Sequence, residues 1–329
     1  MKNKIVQLES LTVGYHSKEI VSAIDAIVLE NELVAVLGGN GAGKSTLINS
    51  ILGFQKVLKG EILIEGQSIN QISSKEIAQK IAVVLPRLSI VPKIKVKELV
   101  AMGRLPYHKV LKSISEEEKI QIQKVLHLVG IEHLANQFAN EISEGQLQLV
   151  MIARALCQDA KLVVLDEPTS NLDLANQYKV FNLLNELKAK TDKSFLMITH
   201  EVNFALEKAD KIWWIEKGKL TEDIPEQIAF DQQIIQKLSN QNLQYNSETN
   251  RFSTKQIFHH SIGIKGNSEL AFWVKNALIR NGFSIENNAE NHIEITENNI
   301  IFEQQKFETI ENLIKFVQQN EKYNHNRSE

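Results

Sequence analysis

The chain has 329 residues, and its 37 basic and 40 acidic side chains leave a formal net charge of −3, so it carries no general electrostatic pull towards nucleic acid. The length suits one large domain plus a smaller one. Its apolar runs are far too short to span a bilayer, and the start Met1-Lys2-Asn3-Lys4-Ile5 lacks the apolar core of a signal peptide, which points to a cytoplasmic protein. The single cysteine, Cys157, excludes an internal disulfide, and its apolar helical surroundings predict a buried, unreactive thiol.

The first thirty residues alternate in strand fashion, over Ile5–Glu9 and Ile20–Leu29. An apolar run, Leu33–Leu37, then leads into Gly38-Gly39-Asn40-Gly41-Ala42-Gly43-Lys44-Ser45, and a helical pattern follows from Thr46 to Leu52. The spacing G-x-x-x-x-G-K-[ST] between a strand and a helix is that of a phosphate-binding P-loop. Its glycines let the backbone bend tightly, so that N–H groups and a helix N-terminus face phosphate oxygens. Lys44 is expected to reach the β- and γ-phosphates and the Ser45 hydroxyl to hold Mg²⁺. A glycine-rich turn without a ligand is the alternative, and the order of strand, loop and helix argues against it.

Glu61–Ile64 reads as a further strand, and residues 74–84 as a polar helix start followed by the buried strand Ile81–Val84. A helix begins at Lys97–Met102, and another runs from Glu116 to Val129, with Ile120, Ile122, Val125, Leu126 and Val129 at helical spacing and Gly130 as its stop. Leu162–Leu165 is apolar enough to be buried on both faces. It delivers Asp166, a candidate Mg²⁺ ligand, and Glu167, a candidate general base. The alternative is a pair of capping acids before a helix opened by Pro168, which the upstream P-loop makes the minor reading. Val180–Lys190 is a helix and Phe195–Ile198 a strand. His200 stands just past that strand, where it can hydrogen-bond a γ-phosphate and its attacking water. A short helix over Asn203–Lys208, a strand over Lys211–Ile215 and a turn over Glu216–Lys219 complete a mainly parallel α/β sheet.

Composition turns polar near residue 238, and 236–252 reads as a linker. Beyond it, strands over Ile257–Ile264, His292–Thr296 and Ile300–Glu303 and helices over Leu270–Ile279 and Phe307–Gln319 form a small α+β module across 253–323. The tail 324–329 is polar and expected to be disordered.

Taken together, residues 3–235 resemble the ATP-binding-cassette (ABC) ATPases. Tyr15 matches the aromatic that stacks on adenine, residues 38–45 the Walker A loop, and Ile142-Ser143-Glu144-Gly145-Gln146 the signature. Asp166 and Glu167 match Walker B, Ser170-Asn171-Leu172-Asp173 the D-loop, and His200 the switch histidine. The resemblance implies a P-loop NTPase with a RecA-like core, an antiparallel β subdomain and a helical signature subdomain, followed here by the small C-terminal module. It implies ATP and Mg²⁺ as ligands. Nucleotide binding would fall to Tyr15, Gly38, Gly39, Asn40, Gly41, Ala42, Gly43, Lys44, Ser45 and Thr46, with the metal on Ser45 and Asp166 and catalysis by Glu167 and His200. Ser143, Glu144, Gly145 and Gln146 would act in trans, closing on ATP bound by a second copy in a sandwich dimer, with Asp173 in the D-loop. Ser143 also suits an ordinary N-cap.

The chain departs from the family at Glu144, which replaces a glycine, and at Leu149, which replaces an arginine. It departs again at Pro86-Arg87, where a Q-loop glutamine belongs. The stretch Val96–His108 looks like the V-x-E-L-V-x-x-G-R-x-P-[YH] segment of ATPases serving iron-siderophore, haem and cobalamin importers. That likeness implies a peripheral subunit on the cytoplasmic face of the cell membrane, beneath integral membrane permease subunits and supplied by a substrate-binding protein. His108 and His259-His260 lack a second ligand at metal spacing. The competing readings are a soluble ABC ATPase acting on a macromolecular complex and, because of Pro86, a weakly hydrolysing nucleotide-gated scaffold.

Overall fold

The computed structural model describes residues 2–85, 93–108, 115–230, 243–246, 251–254, 258, 260–297 and 299–319. The expectations for Pro86, Arg87, His259 and the tail fall outside them. The chain divides into two compact units, Met1–Gln236 with Ser247–Arg251, and Lys237–Asn246 with Phe252–Glu329.

In the first unit β1 (Lys4–Tyr15), β2 (Lys18–Leu29) and β3 (Leu33–Gly38) precede α1 (Lys44–Ile51). Then come β4 (Lys59–Ile64), β5 (Gln67–Ser68), α2 (Ser74–Lys80) and β6 (Ile81–Val84). The helical region holds α3 (Val96–Ala101), α4 (Glu116–Val129) and α5 (Glu144–Cys157). β7 (Leu162–Asp166), α6 (Leu174–Lys190), β8 (Ser194–Ile198), α7 (Val202–Lys208), β9 (Lys211–Glu216), β10 (Lys219–Asp223) and α8 (Pro225–Phe230) follow.

Six strands form one sheet in the order β10-β9-β3-β8-β7-β6, all parallel except β10. Its central strands are buried on both faces, hence their unbroken apolar runs. Period two sends alternate side chains to opposite sides. Val163, Leu165, Phe195 and Met197 join the core formed with α3 to α6. Val34, Val36, Val164, Leu196 and Ile198 join the core formed with α1 and the antiparallel sheet β2-β1-β4-β5.

Helix ends follow local chemistry. Ser73 with Glu76, Ser115 with Glu118 and Ser143 with Gln146 make reciprocal capping boxes at α2, α4 and α5. Gly130 closes α4 at φ 74°, a left-handed conformation that favours glycine. Pro168 opens no helix: residues 167–171 are bends and turns, so the capping alternative for Asp166 and Glu167 falls away. Helix α6 begins at Leu174 rather than Val180, because Asp173 accepts a hydrogen bond from the Asn176 N–H at 2.8 Å. None of residues 174–179 is buried, so hydrophobic periodicity does not mark that start.

Past α8 come β11 (Leu243–Asn246), β12 (Arg251–Thr254, all but Arg251 in the second unit), β13 (His260–Lys265) and α9 (Glu269–Arg280). β14 (Phe283–Ile285), β15 (His292–Ile295), β16 (Ile300–Phe302), β17 (Gln305–Phe307) and α10 (Ile310–Gln319) follow among the described residues. The order of the second unit's main sheet is β14-β13-β15-β16-β17. Ile262, Ile293, Phe302, Val274, Leu278, Leu313 and Val317 give it a core of its own. β11 and β12 pair as a ribbon, with β11 and the first half of β12 falling in the stretch expected to be a linker; the alternation of Leu243 and Tyr245 with polar residues is the signal for the first of them. Phe307 lies in β17, not in the last helix. Glu303 and Gln304, both at positive φ, turn the chain so that Phe307 pairs with Ile300.

One ionic cluster ties the antiparallel sheet to the parallel one. Glu222 on β10 accepts hydrogen bonds from the Ile27 N–H on β2 at 2.7 Å and from Trp213 Nε1 on β9 at 2.8 Å, and pairs with Lys211 at 3.1 Å. Lys211 in turn meets Glu32 and the Ile27 carbonyl. Removing the carboxylate strands the buried Trp213 indole and the part-buried Lys211 ammonium and Ile27 N–H. Glu222→Ala is therefore expected to lower the unfolding free energy by about 3 kcal/mol in urea titrations, with Glu222→Gln losing less. An unchanged midpoint would show the cluster to be idle.

Candidate nucleotide site

The P-loop leaves the sheet at the end of β3, between β8 and β9. Two glycines are required by packing. A Cβ at Gly38 would lie 2.5 Å from the Ile215 carbonyl oxygen, and one at Gly43, whose φ is 108°, would lie 2.5 Å from Val21 Cγ2. Gly39 and Gly41 face open space among the described residues, so the loop has a packed side and a free side. Helix α1 starts at Lys44 behind Gly43, with no side-chain cap among the described residues. Its first N–H groups, around Ser45 and Thr46, thus form the anion-binding end of a helix. The Lys44 ammonium donates to the carbonyls of Gly38 at 2.8 Å and Gly39 at 3.2 Å. Burial holds its pKa below the usual lysine value, although Glu167 and Asp166 pull the other way.

Asp166 ends β7 opposite Ile198 of β8. Burial raises its carboxyl pKa, the neighbouring Glu167 raises it further, and Lys44 opposes both. Glu167 sits at φ 48°, a costly conformation for a residue with a side chain. It is held there from both ends. Its N–H donates to the Ile198 carbonyl at 3.1 Å, and its own carbonyl accepts from the N–H and Oγ of Ser170. Its carboxylate meets His200 Nε2 at 2.9 Å. Thr199, beside His200, donates its N–H to the Val36 carbonyl. Lys44, Asp166, Glu167 and His200 are thereby gathered at the C-terminal edges of three adjacent strands. The exposed Ser45 hydroxyl and the Asp166 carboxylate are hard oxygen donors of the kind Mg²⁺ takes, and a divalent charge would relieve the crowding of the two acids.

Other candidates stand elsewhere. Tyr15 is half-exposed at the tip of the β1–β2 hairpin, whose Ile20 and Val21 pack on Gly43. Ser143 and Gln146 are engaged with each other in the α5 capping box, with Ser143 Oγ accepting from the Gln146 N–H and Gln146 Oε1 from the Ser143 N–H. Glu144 opens that helix, and Leu149 is buried in its core. Asp173 caps α6. His108 pairs with Glu118 at 2.9 Å, which also holds Arg104. Among the described residues no three His, Cys, Asp or Glu side chains gather to hold a metal. Sequence reading missed the Glu167–His200 contact, since nothing in either motif specifies it.

The acid pair has a thermodynamic consequence. A carboxyl whose folded pKa lies above its unfolded value binds more protons when folded, so stability falls as pH rises between the two values and stays lowered above them. Asp166→Asn is therefore expected to raise the thermal midpoint of the nucleotide-free protein at pH 7, with the gain vanishing below the unfolded carboxylate range. A midpoint lowered at pH 7 would contradict this.

Two family models match the chain. That described as ABC transporter covers residues 21–170, and that described as iron ABC transporter C-terminal domain covers residues 259–318. The chain is 38% identical to the achromobactin transport ATP-binding protein of Dickeya dadantii, over 61% of its own length and 74% of that protein. It is 31% identical to the petrobactin import ATP-binding protein of Bacillus anthracis, over 82% and 98% respectively. A metal-chelate type ABC transporter solved in an inward-facing conformation superposes with a TM-score of 0.63 at 27% identity, covering 77% of this chain and 96% of that one. The fold, the P-loop and these relatives agree: the chain belongs to the ABC transporter ATP-binding proteins and is a transporter ATPase carrying the C-terminal domain of the iron branch.

Proposed function

We propose that this ATPase drives import of an iron-siderophore complex, working as a pair of identical chains beneath integral membrane permease subunits on the cytoplasmic face of the membrane, with a substrate-binding protein delivering the cargo. The observation that carries the nucleotide half is the convergence of Lys44, Asp166, Glu167 and His200 at one sheet edge. The match of residues 259–318 to an iron-transporter domain and the names of similar proteins, among them achromobactin transport, petrobactin import and a siderophore transport system, support the cargo.

In this reading the P-loop residues Gly38, Gly39, Asn40, Gly41, Ala42, Gly43, Lys44, Ser45 and Thr46 wrap the phosphates, and Tyr15 stacks on the base. Lys44 exchanges the Gly38 and Gly39 carbonyls for phosphate oxygens. Its charge then offsets that of the β- and γ-phosphates. Ser45 and Asp166 would hold Mg²⁺, whose chemistry there is to neutralise charge developing on the phosphates. Glu167 accepts a proton from water as its oxygen attacks the γ-phosphorus, the bond to the β–γ bridging oxygen breaks, and ADP and phosphate leave. His200, hydrogen-bonded to the Glu167 carboxylate, keeps that base aimed and can touch the γ-phosphate. The signature residues Ser143, Glu144, Gly145 and Gln146, with Asp173 beside them, would complete the site of the second copy, which makes ATP the adhesive of the dimer.

Two measurements test this. Glu167→Gln should cut turnover by about a hundredfold or more while ATP binding persists and dimers accumulate; turnover near wild type would remove Glu167 as the base. Deleting the gene should abolish growth on a ferric siderophore as the sole iron source. Normal growth on every siderophore tried would overturn the cargo.

A further inference from the structure

The signature helix and the helix after the D-loop meet at their first turns, where the Asn176 side chain faces Gly145. A Cβ placed on Gly145 would lie 3.0 Å from Cγ, 3.1 Å from Oδ1 and 3.2 Å from Nδ2 of Asn176. Three nearly equal distances mean that the flat face of the Asn176 amide lies against the bare Cα of Gly145. That amide is fixed in place. Its Nδ2 donates to Asp173 Oδ2 at 3.0 Å, while the other oxygen of the same carboxylate accepts from the Asn176 N–H at 2.8 Å. An N-cap needs one oxygen for the helix end; here the second oxygen holds a side chain. Gln177 adds to the brace by donating to the Leu172 carbonyl at 3.1 Å.

We propose that Asn176 is a positioning residue for the signature. It is the seat on which Gly145 rests, and it sets where the first turn of α5, with Ser143 and Gln146, stands when that turn meets nucleotide held by a second copy. The inference rests on the two-copy reading of the site. It gives Gly145 a reason independent of the nucleotide: a Cβ there would press on a braced amide inside its own chain, which would have to give way by a few tenths of an ångström. Alanine at 176 leaves the glycine unsupported. Aspartate at 176 keeps the volume but loses the donor and sets a second carboxylate against Asp173. Either change displaces the signature while leaving the P-loop of the same chain alone.

The test uses the full-length protein, with steady-state ATPase kinetics, binding of a fluorescent ATP analogue at dilute protein, and a thermal midpoint to confirm folding. Asn176→Ala and Asn176→Asp are each expected to raise the KM for ATP and lower kcat, by roughly five- to tenfold in kcat/KM, the worth of one such contact. The dissociation constant of the analogue on the dilute chain should stay at the wild-type value. Gly145→Ala should also lose activity, and adding Asn176→Ala to it should restore part of that loss, because the new methyl occupies the vacated space. Wild-type kinetics in Asn176→Ala would overturn the proposal. So would a Gly145→Ala defect that Asn176→Ala leaves unrelieved, since the glycine would then serve the nucleotide alone. A wild-type chain that neither binds nor hydrolyses ATP would sink the functional reading itself, and that result needs no variant.

Discussion

In a parallel sheet every strand leaves by the same edge, and the loops beyond that edge are where ligands gather. Here β3, β8 and β7 are neighbours in unbroken register, with Val36 opposite Ile198 and Ile198 opposite Asp166. The P-loop, His200 and the acid pair therefore emerge at one level although they are far apart in sequence. The register is enforced from both faces, because a slip by one residue would exchange the side chains of the two cores. The chemistry of the site is in this sense a by-product of packing.

That packing tolerates local cost at the site. Glu167 is kept in a left-handed conformation by three backbone-directed hydrogen bonds. Asp166 is crowded and half-buried, and Lys44 is desolvated beside it. Each feature weakens the nucleotide-free fold slightly and gains from a polyanion with its counter-ion. The antiparallel sheet shares in this arrangement, since Ile20 and Val21 form the floor under Gly43.

Much of this was legible in the sequence because it is local. The P-loop spacing, the apolar runs of β7 and β8, the helix of α4 and its glycine stop are each written within a dozen residues or so. What stayed hidden depends on partners remote in the chain. Asp173 reads as a D-loop acid, yet its second task is to start α6 six residues before the first apolar periodicity at Val180. Phe307 has a helical look beside Ile310, but its strand is set by pairing with Ile300. Nothing near Gly145 announces Asn176, and nothing near Glu167 announces His200. Pro168 shows why the capping alternative stayed the minor one: a residue suited to a helix start stands in a turn, where the backbone holds Glu167.

Cys157 has a practical consequence for watching the protein at work. It is the only cysteine in the chain, it is fully buried at the end of α5, and burial pushes its thiol up to about 11. At neutral pH it offers almost no thiolate to a maleimide. The natural sequence therefore already serves as an unreactive background for thiol chemistry. A cysteine introduced at an exposed position such as Tyr178 would take a spin label or fluorophore alone, and the distance between labels on two copies could report their approach in real time.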